Sequence, residues 1–212
     1  MKRDLCFSLL TKYSPDNQIT VLGCQEHFLL KANCYKIHQC LPDHHIVIKP
    51  AIKGNYVNGR AKGGLFLAFP NEISKNVKDV SPDHWRIQAS LLNVENSEKF
   101  LIINTYFPVD NGKSTADVAE LNETLSVVNA LMEEHKSHKV LFFGDINCDF
   151  SRQSLHVSTV TRFLSSNSLL RSWSSFDIDF TYSFQSDDKV STSTIDHFFW
   201  DEETHEISVM QE

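Results

Sequence analysis

The stretch Val140-Leu-Phe-Phe-Gly-Asp-Ile-Asn147 decides how this chain is interpreted. Its apolar residues predict a buried strand that delivers two polar side chains where the chain turns out of the core. Residues two apart on an extended segment point the same way, so Asp145 and Asn147 can reach one reaction centre. Asp145 can orient or deprotonate water, and the Asn147 amide can hydrogen-bond a charged oxygen. Taken alone, Gly-Asp-x-Asn is more often an ordinary turn.

Two further segments end in polar side chains of the same kind. Ile19-Thr-Val-Leu-Gly-Cys-Gln-Glu26 predicts a strand that ends in a carboxylate, and Leu101-Ile-Ile-Asn-Thr-Tyr-Phe-Pro108 predicts one that ends in Asn-x-Tyr-x-Pro. Glu26 alone would be a surface carboxylate and Tyr106 alone a core aromatic. With the Gly-Asp-x-Asn turn they favour a site at the ends of core strands. A carboxylate there can hold Mg²⁺, which prefers oxygen ligands and often takes only one or two from the protein.

The composition is that of an ordinary globular protein of 212 residues, with 41% hydrophobic and 22% charged residues. We therefore expect one domain over residues 1–212, no membrane span, and no obligate protein partner. The five cysteines show no CxxC spacing, which predicts free thiols in an intracellular, reducing compartment; nucleus and cytoplasm both stay open. The net charge of −7 argues mildly against tight non-specific DNA binding, yet a nuclease metal site also needs carboxylates.

Apolar runs rich in Val, Ile and Phe recur along the chain and suit strands. They predict strands at 19–25, 63–69, 85–94, 99–107, 140–143 and 195–200. Apolar residues at three- and four-residue spacing predict one clear helix from Ser114 to near His135, and a shorter one over 155–165. We therefore expect an α/β (α+β) fold with two mostly antiparallel sheets packed together and helices outside.

Six short motifs follow one another along nearly the whole chain. They are Cys24-Gln-Glu-His-Phe-Leu29, Gly59-Arg-Ala-Lys-Gly-Gly64, Arg86-Ile-Gln-Ala89, Asn104-Thr-Tyr-Phe-Pro108, Gly144-Asp-Ile-Asn147 and Ser193-Thr-Ile-Asp-His-Phe-Phe199. In this order they resemble the endonuclease/exonuclease/phosphatase superfamily, the four-layer α/β-sandwich phosphodiesterases. The chain looks most like the endonuclease domain of LINE-type (non-LTR) retrotransposons, which implies DNA as the substrate.

The resemblance implies a role for each matching residue. Glu26 would be a ligand for Mg²⁺, with Mn²⁺ also possible. Tyr106 would contact the phosphate, Asp145 would orient the attacking water, and Asn147 would act as its transition-state partner. Asp196 would support this network.

Three more residues would belong to the substrate groove by the same resemblance. Arg60 and Lys62 come from the Gly-Arg-x-Lys-Gly-Gly motif, and Asn104 comes from the Asn-x-Tyr-x-Pro motif.

The sequence departs from the family pattern at both ends. Family members have a first strand that carries an Asn metal ligand, well upstream of the Gln-Glu motif. Asn17 is the one asparagine before Glu26 in this sequence, so we expect that first strand to be missing. No Ser-Asp-His occurs before Glu212, although family members close with that motif. Because a general base contributes roughly 10²–10⁴-fold, we expect weak or no activity from a domain truncated in this way. Two functions stay open: a Mg-dependent DNA endonuclease of retrotransposon origin, and a catalytically dead remnant that binds metal or nucleic acid weakly.

Overall fold

Two β-sheets packed face to face form the centre of the protein. The computed structural model describes residues 21–54, 60–93, 99–110, 115–171, 184–186 and 192–201. The smaller sheet contains β1 (Leu22–Cys24), β3 (Leu65–Pro70) and β2 (His44–Lys49), in that spatial order. The larger sheet contains β4 (Val77–Asp79), β5 (Ile87–Asn93), β6 (Lys99–Tyr106), β7 (Lys139–Asp145), β11 (Asp196–Asp201) and β8 (Leu169–Arg171). A short ribbon pairs β9 (Phe184–Gln185) with β10 (Thr192–Ser193).

Three α-helices accompany the sheets in the described residues: α1 (Tyr35–Cys40), α2 (Thr115–Glu134) and α3 (Leu155–Ser166). Two short 3₁₀ helices cover Lys31–Asn33 and Asn71–Asn76. Strands β6 and β7 are the parallel pair of the larger sheet, and α2 provides the crossover that parallel neighbours require. Helix α3 begins at Ser154, whose hydroxyl accepts a hydrogen bond from the Val157 backbone N–H at 3.0 Å.

Apolar side chains separate these elements into four layers. Residues of α1 and the outer face of the smaller sheet form one cluster, which includes Ile37 and Phe66. The two sheets share a second cluster, to which Leu67 and Ile102 belong. The helices α2 and α3 cover the outer face of the larger sheet and pack around residues such as Phe142. This αββα arrangement confirms the expected α/β sandwich.

Most of the predicted elements are present with small shifts of their ends. The predicted strands correspond to β1, β3, β5, β6, β7 and β11, and the two predicted helices correspond to α2 and α3. The sequence analysis missed α1 and β2, together with the short strands β4 and β8. The Ser114 cap, the expected missing first strand and the absent Ser-Asp-His region fall at 1–20, 111–114 and 202–212, outside the described residues. A single domain over 1–212 therefore stays a prediction.

Two further expectations concern cysteines and membranes. Cys24, Cys34, Cys40 and Cys148 are free thiols, as the sequence predicted, whereas Cys6 lies outside the described residues. Among the described helices, none combines the length and apolar character needed to cross a bilayer.

Asn104 ties the two sheets together from inside the sandwich. Its side chain is fully buried, and its amide donates to the backbone carbonyls of Cys24 at 3.1 Å and Phe66 at 3.0 Å. Its carbonyl oxygen accepts from the Gln25 side-chain amide. A buried polar group is stable only when hydrogen-bonded, and here the three bonds of one β6 residue hold β1, the loop after it and β3 of the smaller sheet.

Asn104→Ala should therefore destabilise the protein by roughly 2–4 kcal/mol, because two buried carbonyls and the Gln25 amide lose their partner. Denaturant unfolding measures this loss. The matched control is Asn93→Ala, an exposed asparagine at the end of β5, which should change the free energy of unfolding by less than about 0.5 kcal/mol. Equal small losses in both variants would contradict the proposed tie between the sheets.

Candidate active site

Three polar residues lie in one line across neighbouring strands of the larger sheet. The parallel register of β6 and β7 places Tyr106 beside Asp145, and the antiparallel register of β7 and β11 places Asp196 on the other side of Asp145. We call Tyr106, Asp145 and Asp196 the strand-end row. Because partners in register project from the same face of a sheet, their side chains meet at one edge of the sandwich.

Glu26 reaches this row from the smaller sheet. Its carboxylate lies near the Tyr106 hydroxyl, where its charge adds to the effect of burial in raising the pKa of that phenol. Glu26 has a left-handed backbone with φ +54°, a conformation that costs a non-glycine residue about 1–2 kcal/mol. The loop is held in this state from the other side, since the N–H groups of His27 and Phe28 donate to the carbonyls of Gly64 and Gly63.

Asn147 stands on a second left-handed turn, with φ +50°. Its backbone N–H donates to Oδ1 of Asp145 at 3.0 Å, and its side-chain amide donates to the Phe107 carbonyl at 2.8 Å. An amide nitrogen carries two hydrogens, so one N–H remains for another acceptor. The turn thus fixes Asp145 and Asn147 relative to each other.

These residues line a cavity of about 430 Å³. Glu26, Tyr106, Asp145 and Asn147 form one part of the wall, and residues that the sequence analysis missed form the rest. These are Val109, Asp110, Asp149, Arg152, Val157, Ser193 and Ile195. The sequence could have indicated Asp149 and Arg152 as cavity residues because they follow Asp145 in the same loop. The position of Ser193 depends on the pairing of β10 with β9, which the sequence pattern does not show.

Arg152 connects the two loops at the rim of the cavity. Its Nη2 donates to the Ser193 hydroxyl at 2.7 Å and to the Thr192 carbonyl at 3.2 Å. Its Nε lies 3.4 Å from the Asp149 carboxylate. The arginine therefore holds the ribbon strand β10 against the loop after β7.

The acidic surroundings change the protonation of the row. Burial raises the pKa of Asp145 to about 7, and the neighbouring Asp196 carboxylate contributes to the same shift. Burial, with the Glu26 and Asp145 charges, raises the pKa of Tyr106 to about 12. Tyr106 therefore remains a hydrogen-bond donor at neutral pH, while Asp145 is near the midpoint at which a carboxyl can exchange a proton.

Arg86 supports Tyr106 from behind. Its guanidinium is largely buried, lies over the rings of Trp85 at 4.0 Å and Tyr106 at 5.0 Å, and donates to the Tyr106 carbonyl. Glu120 on α2 accepts from Nε of Arg86 at 2.9 Å. This ion pair between buried Arg86 and partly exposed Glu120 positions the end of β6.

The remaining predicted site residues lie outside the cavity wall. Asp196 does not line the cavity but acts on it through the charge beside Asp145. Arg60 and Lys62 are exposed on the loop before β3, beside the Glu26 loop. Asn104 is fully buried between the sheets, so this placement differs from the expected position in the substrate groove. Like Tyr106, it projects from the inner face of β6, but two residues deeper, where the smaller sheet covers it.

The donor set suits a divalent cation only in part. Within the described ranges, no three His, Cys, Asp or Glu side chains come close enough together to hold an ion by themselves. Mg²⁺ commonly takes one or two carboxylates and completes its shell with water and substrate phosphate. Glu26 and Asp145 provide such carboxylates, and the raised pKa of Asp145 reports negative charge that a cation would neutralise.

Solved structures of nucleases and phosphatases share this fold. The chain aligns with an AP endonuclease from Leishmania major over 92% of its length and 73% of that chain, with 12% identity and a TM-score of 0.72. It aligns with an endonuclease/exonuclease/phosphatase family protein from Bacteroides thetaiotaomicron over 94% and 75%, with 16% identity and a TM-score of 0.64. It aligns with a Neisseria 3′ phosphatase bound to a product DNA hairpin over 95% of its length and 82% of that chain, with 15% identity and a TM-score of 0.67.

At these identities the likeness establishes the fold alone, which is that of the endonuclease/exonuclease/phosphatase superfamily. No protein-family model matches the sequence, and no curated protein matches it.

Asp145→Asn should stabilise the metal-free protein at neutral and alkaline pH. A carboxyl whose pKa is higher in the folded protein than its usual 3.8 penalises folding once it ionises, so the penalty is absent at low pH and complete above about 7. In EDTA, we expect the variant's advantage to grow from about pH 4 to about pH 7, up to roughly 2–4 kcal/mol. Thermal unfolding across pH measures it.

The control is Glu133→Gln, an exposed residue near the end of α2 that lies far from the strand-end row. It should unfold like the wild type at every pH. A stability difference between Asp145→Asn and wild type that does not depend on pH would contradict the raised pKa of Asp145.

Proposed function

We propose that this chain is a divalent-metal-dependent phosphodiester hydrolase that cleaves DNA, an endonuclease of retrotransposon type. The observation that carries the proposal is that Glu26, Tyr106, Asp145 and Asn147 line one cavity, with Asp196 beside Asp145 on the neighbouring strand. It combines carboxylates, a protonated phenol and an amide at one edge, which is the chemistry that an oxyanion and a water nucleophile need. The order of the six sequence motifs supports a LINE-type origin.

The proposed mechanism assigns each group one task. Glu26 would hold Mg²⁺ or Mn²⁺, which supplies charge neutralisation at the phosphodiester when bound. Asp145 orients the attacking water and accepts its proton, and the Asp196 charge keeps it basic. The Tyr106 hydroxyl and the second Asn147 N–H donate to phosphate oxygens as negative charge develops.

The setting of the reaction follows from the same features. Arg60 and Lys62 stand on the loop next to Glu26, where they can contact the DNA backbone as phosphate partners. An intracellular location is supported by the free thiols of the described cysteines.

A catalytically silent binding module is the second candidate. One observation favours it: in the described part of the chain, no histidine lines the cavity, so Asp145 would have to act without an imidazole partner. His197 is adjacent to Asp196 in sequence, but its Nε2 is bonded to the carbonyls of Cys148 at 2.8 Å and Thr194 at 3.1 Å. Under this reading metal binding persists and hydrolysis does not.

Mg²⁺ should raise the melting temperature, because a ligand bound only to the folded state stabilises it by RT ln(1 + [L]/Kd). At ten times Kd this amounts to about 1.4 kcal/mol, or ~3–6 °C for a protein of this size. Glu26→Gln should remove most of the shift, and Glu133→Gln should keep it. An identical shift in wild type and Glu26→Gln would contradict the assignment of Glu26 as a ligand.

Supercoiled plasmid should be nicked by the purified chain in Mg²⁺ but not in EDTA. Asp145→Asn should lower the rate by at least about 10²-fold, the lower range for loss of a general base, while Glu133→Gln should nick at the wild-type rate. Nicking by Asp145→Asn at the wild-type rate would point to a contaminating nuclease and contradict the proposal. Metal-dependent stabilisation without nicking would support the silent binding module.

A further inference from the structure

The charges of this acidic protein are unevenly distributed along the chain. Of its 20 Lys and Arg and 27 Asp and Glu residues, residues 27–70 contain six basic and one acidic, which leaves 14 basic and 26 acidic elsewhere. This segment therefore has a formal charge of +5 in a chain of −7. It comprises α1, β2 and β3, so the basic residues belong to the smaller sheet and its loops.

Four of these cations are exposed on loops at the same end of the smaller sheet as Glu26. They are Lys31, Lys53, Arg60 and Lys62, and we call them the basic loop face. The backbone joins these loops: the N–H of Ala51 donates to the Leu29 carbonyl, and Ile52 and Lys62 exchange two hydrogen bonds. The acidic residue of the segment, Asp43, lies at the opposite end of β2, where it does not offset this charge.

An arginine guanidinium lies over an aromatic ring within this face. The Arg60 guanidinium lies 3.9 Å from the centre of the Phe28 ring, and both side chains reach solvent. Phe28 is held with φ +56°, a left-handed conformation that is uncommon for a large side chain. Its N–H donates to the Gly63 carbonyl at 3.0 Å, so the strained loop is anchored to the loop that carries Arg60. Strain maintained in this way is found at binding sites.

The stacked pair lies close to the cavity. Phe28 follows Glu26 by two residues, and Gly63 lies against the Trp85 indole, where an added Cβ would be 2.8 Å from the ring. Trp85 in turn packs against Tyr106, with ring centroids 6.2 Å apart. Phe28 and Arg60 therefore stand beside the part of the cavity wall that Glu26 and Tyr106 form.

We propose that the Phe28–Arg60 pair is a stacking site for an unpaired base of a DNA strand, with the rest of the basic loop face binding the backbone phosphates. The Phe28 ring holds the guanidinium plane in place, and a base stacks on its outer face. Base stacking on aromatic or guanidinium planes tolerates any sequence, because every base has a π-face. The inference rests on the proposed function, since it specifies how that DNA substrate is held.

The test compares two strands that differ only in their bases. One is a thymidine oligonucleotide of about ten residues, and the other is an abasic deoxyribose-phosphate strand of the same length. Binding of the full chain is measured by fluorescence anisotropy in EDTA, so that no hydrolysis is needed. We expect wild type to bind the thymidine strand roughly tenfold more tightly than the abasic one.

Four variants separate stacking from charge and from exposure. Phe28→Leu keeps the apolar volume and Arg60→Lys keeps the charge, yet both should abolish the preference for bases without weakening abasic binding. Phe28→Tyr keeps the ring and should keep the preference. Tyr35→Leu removes an exposed aromatic on α1 of the same basic segment and should have no effect.

Equal affinity of wild type for both strands would overturn the inference, as would a loss in Phe28→Leu that affects both strands alike. If Phe28→Leu does not unfold cooperatively, the test of the stacking site rests on the base preference of Arg60→Lys and Phe28→Tyr. The outcome is separate from the proposed function. Base-selective binding without plasmid nicking would support the stacking site and contradict the proposed endonuclease activity. Nicking without base selectivity would support the endonuclease activity and contradict the stacking site.

Discussion

The close approach of β7 to β6 at Gly144 is the constraint on which the site depends. A Cβ at this position would lie 2.0 Å from the Thr105 carbonyl oxygen, and the backbone has φ +144°, which side chains rarely allow. Because Gly144 precedes Asp145, any larger residue would push the carboxylate away from Tyr106. The Phe107 N–H, which donates to the Asp145 carbonyl at 2.8 Å, would be displaced with it. The chemistry of the carboxylate therefore depends on a neighbour that has no side chain.

Sequence patterns predicted the strands that carry the site because those strands are apolar and end in recognisable polar groups. They did not predict which of two residues on the same strand face would be covered. Asn104 and Tyr106 both project inward from β6, yet only Asn104 lies under the smaller sheet, and that depends on strand packing 79 residues away in sequence. Strand β2 was missed because it begins with two histidines, His44 and His45, so that only three consecutive apolar residues indicate a strand. Arg152 and Ser193 meet through a loop-to-ribbon contact that has no local signature.

The cavity and the basic loop face carry opposite charges and lie next to each other at one end of the sandwich. The larger sheet and its loops supply Asp145 and Asp196, and burial together with the Asp196 charge raises the pKa of Asp145 to about 7. The smaller sheet supplies cations that stand beside this acidic centre and do not neutralise it. A net charge of −7 therefore does not describe the field that a polyanion meets on approach. Only the local arrangement makes a phosphate chain compatible with an acidic protein.

The strand-end row also has a consequence for synthesis of the protein. Its members come from β6, β7 and β11, and β11 inserts between β7 and β8, although it is made after both. A ribosome adds about 5–20 residues per second, so a nascent chain spends seconds with β7 and β8 complete and their shared neighbour absent. During that interval Asp145 lacks Asp196, and the edges of both strands are open for pairing. Maturation of the site is thus tied to the last described strand of the larger sheet.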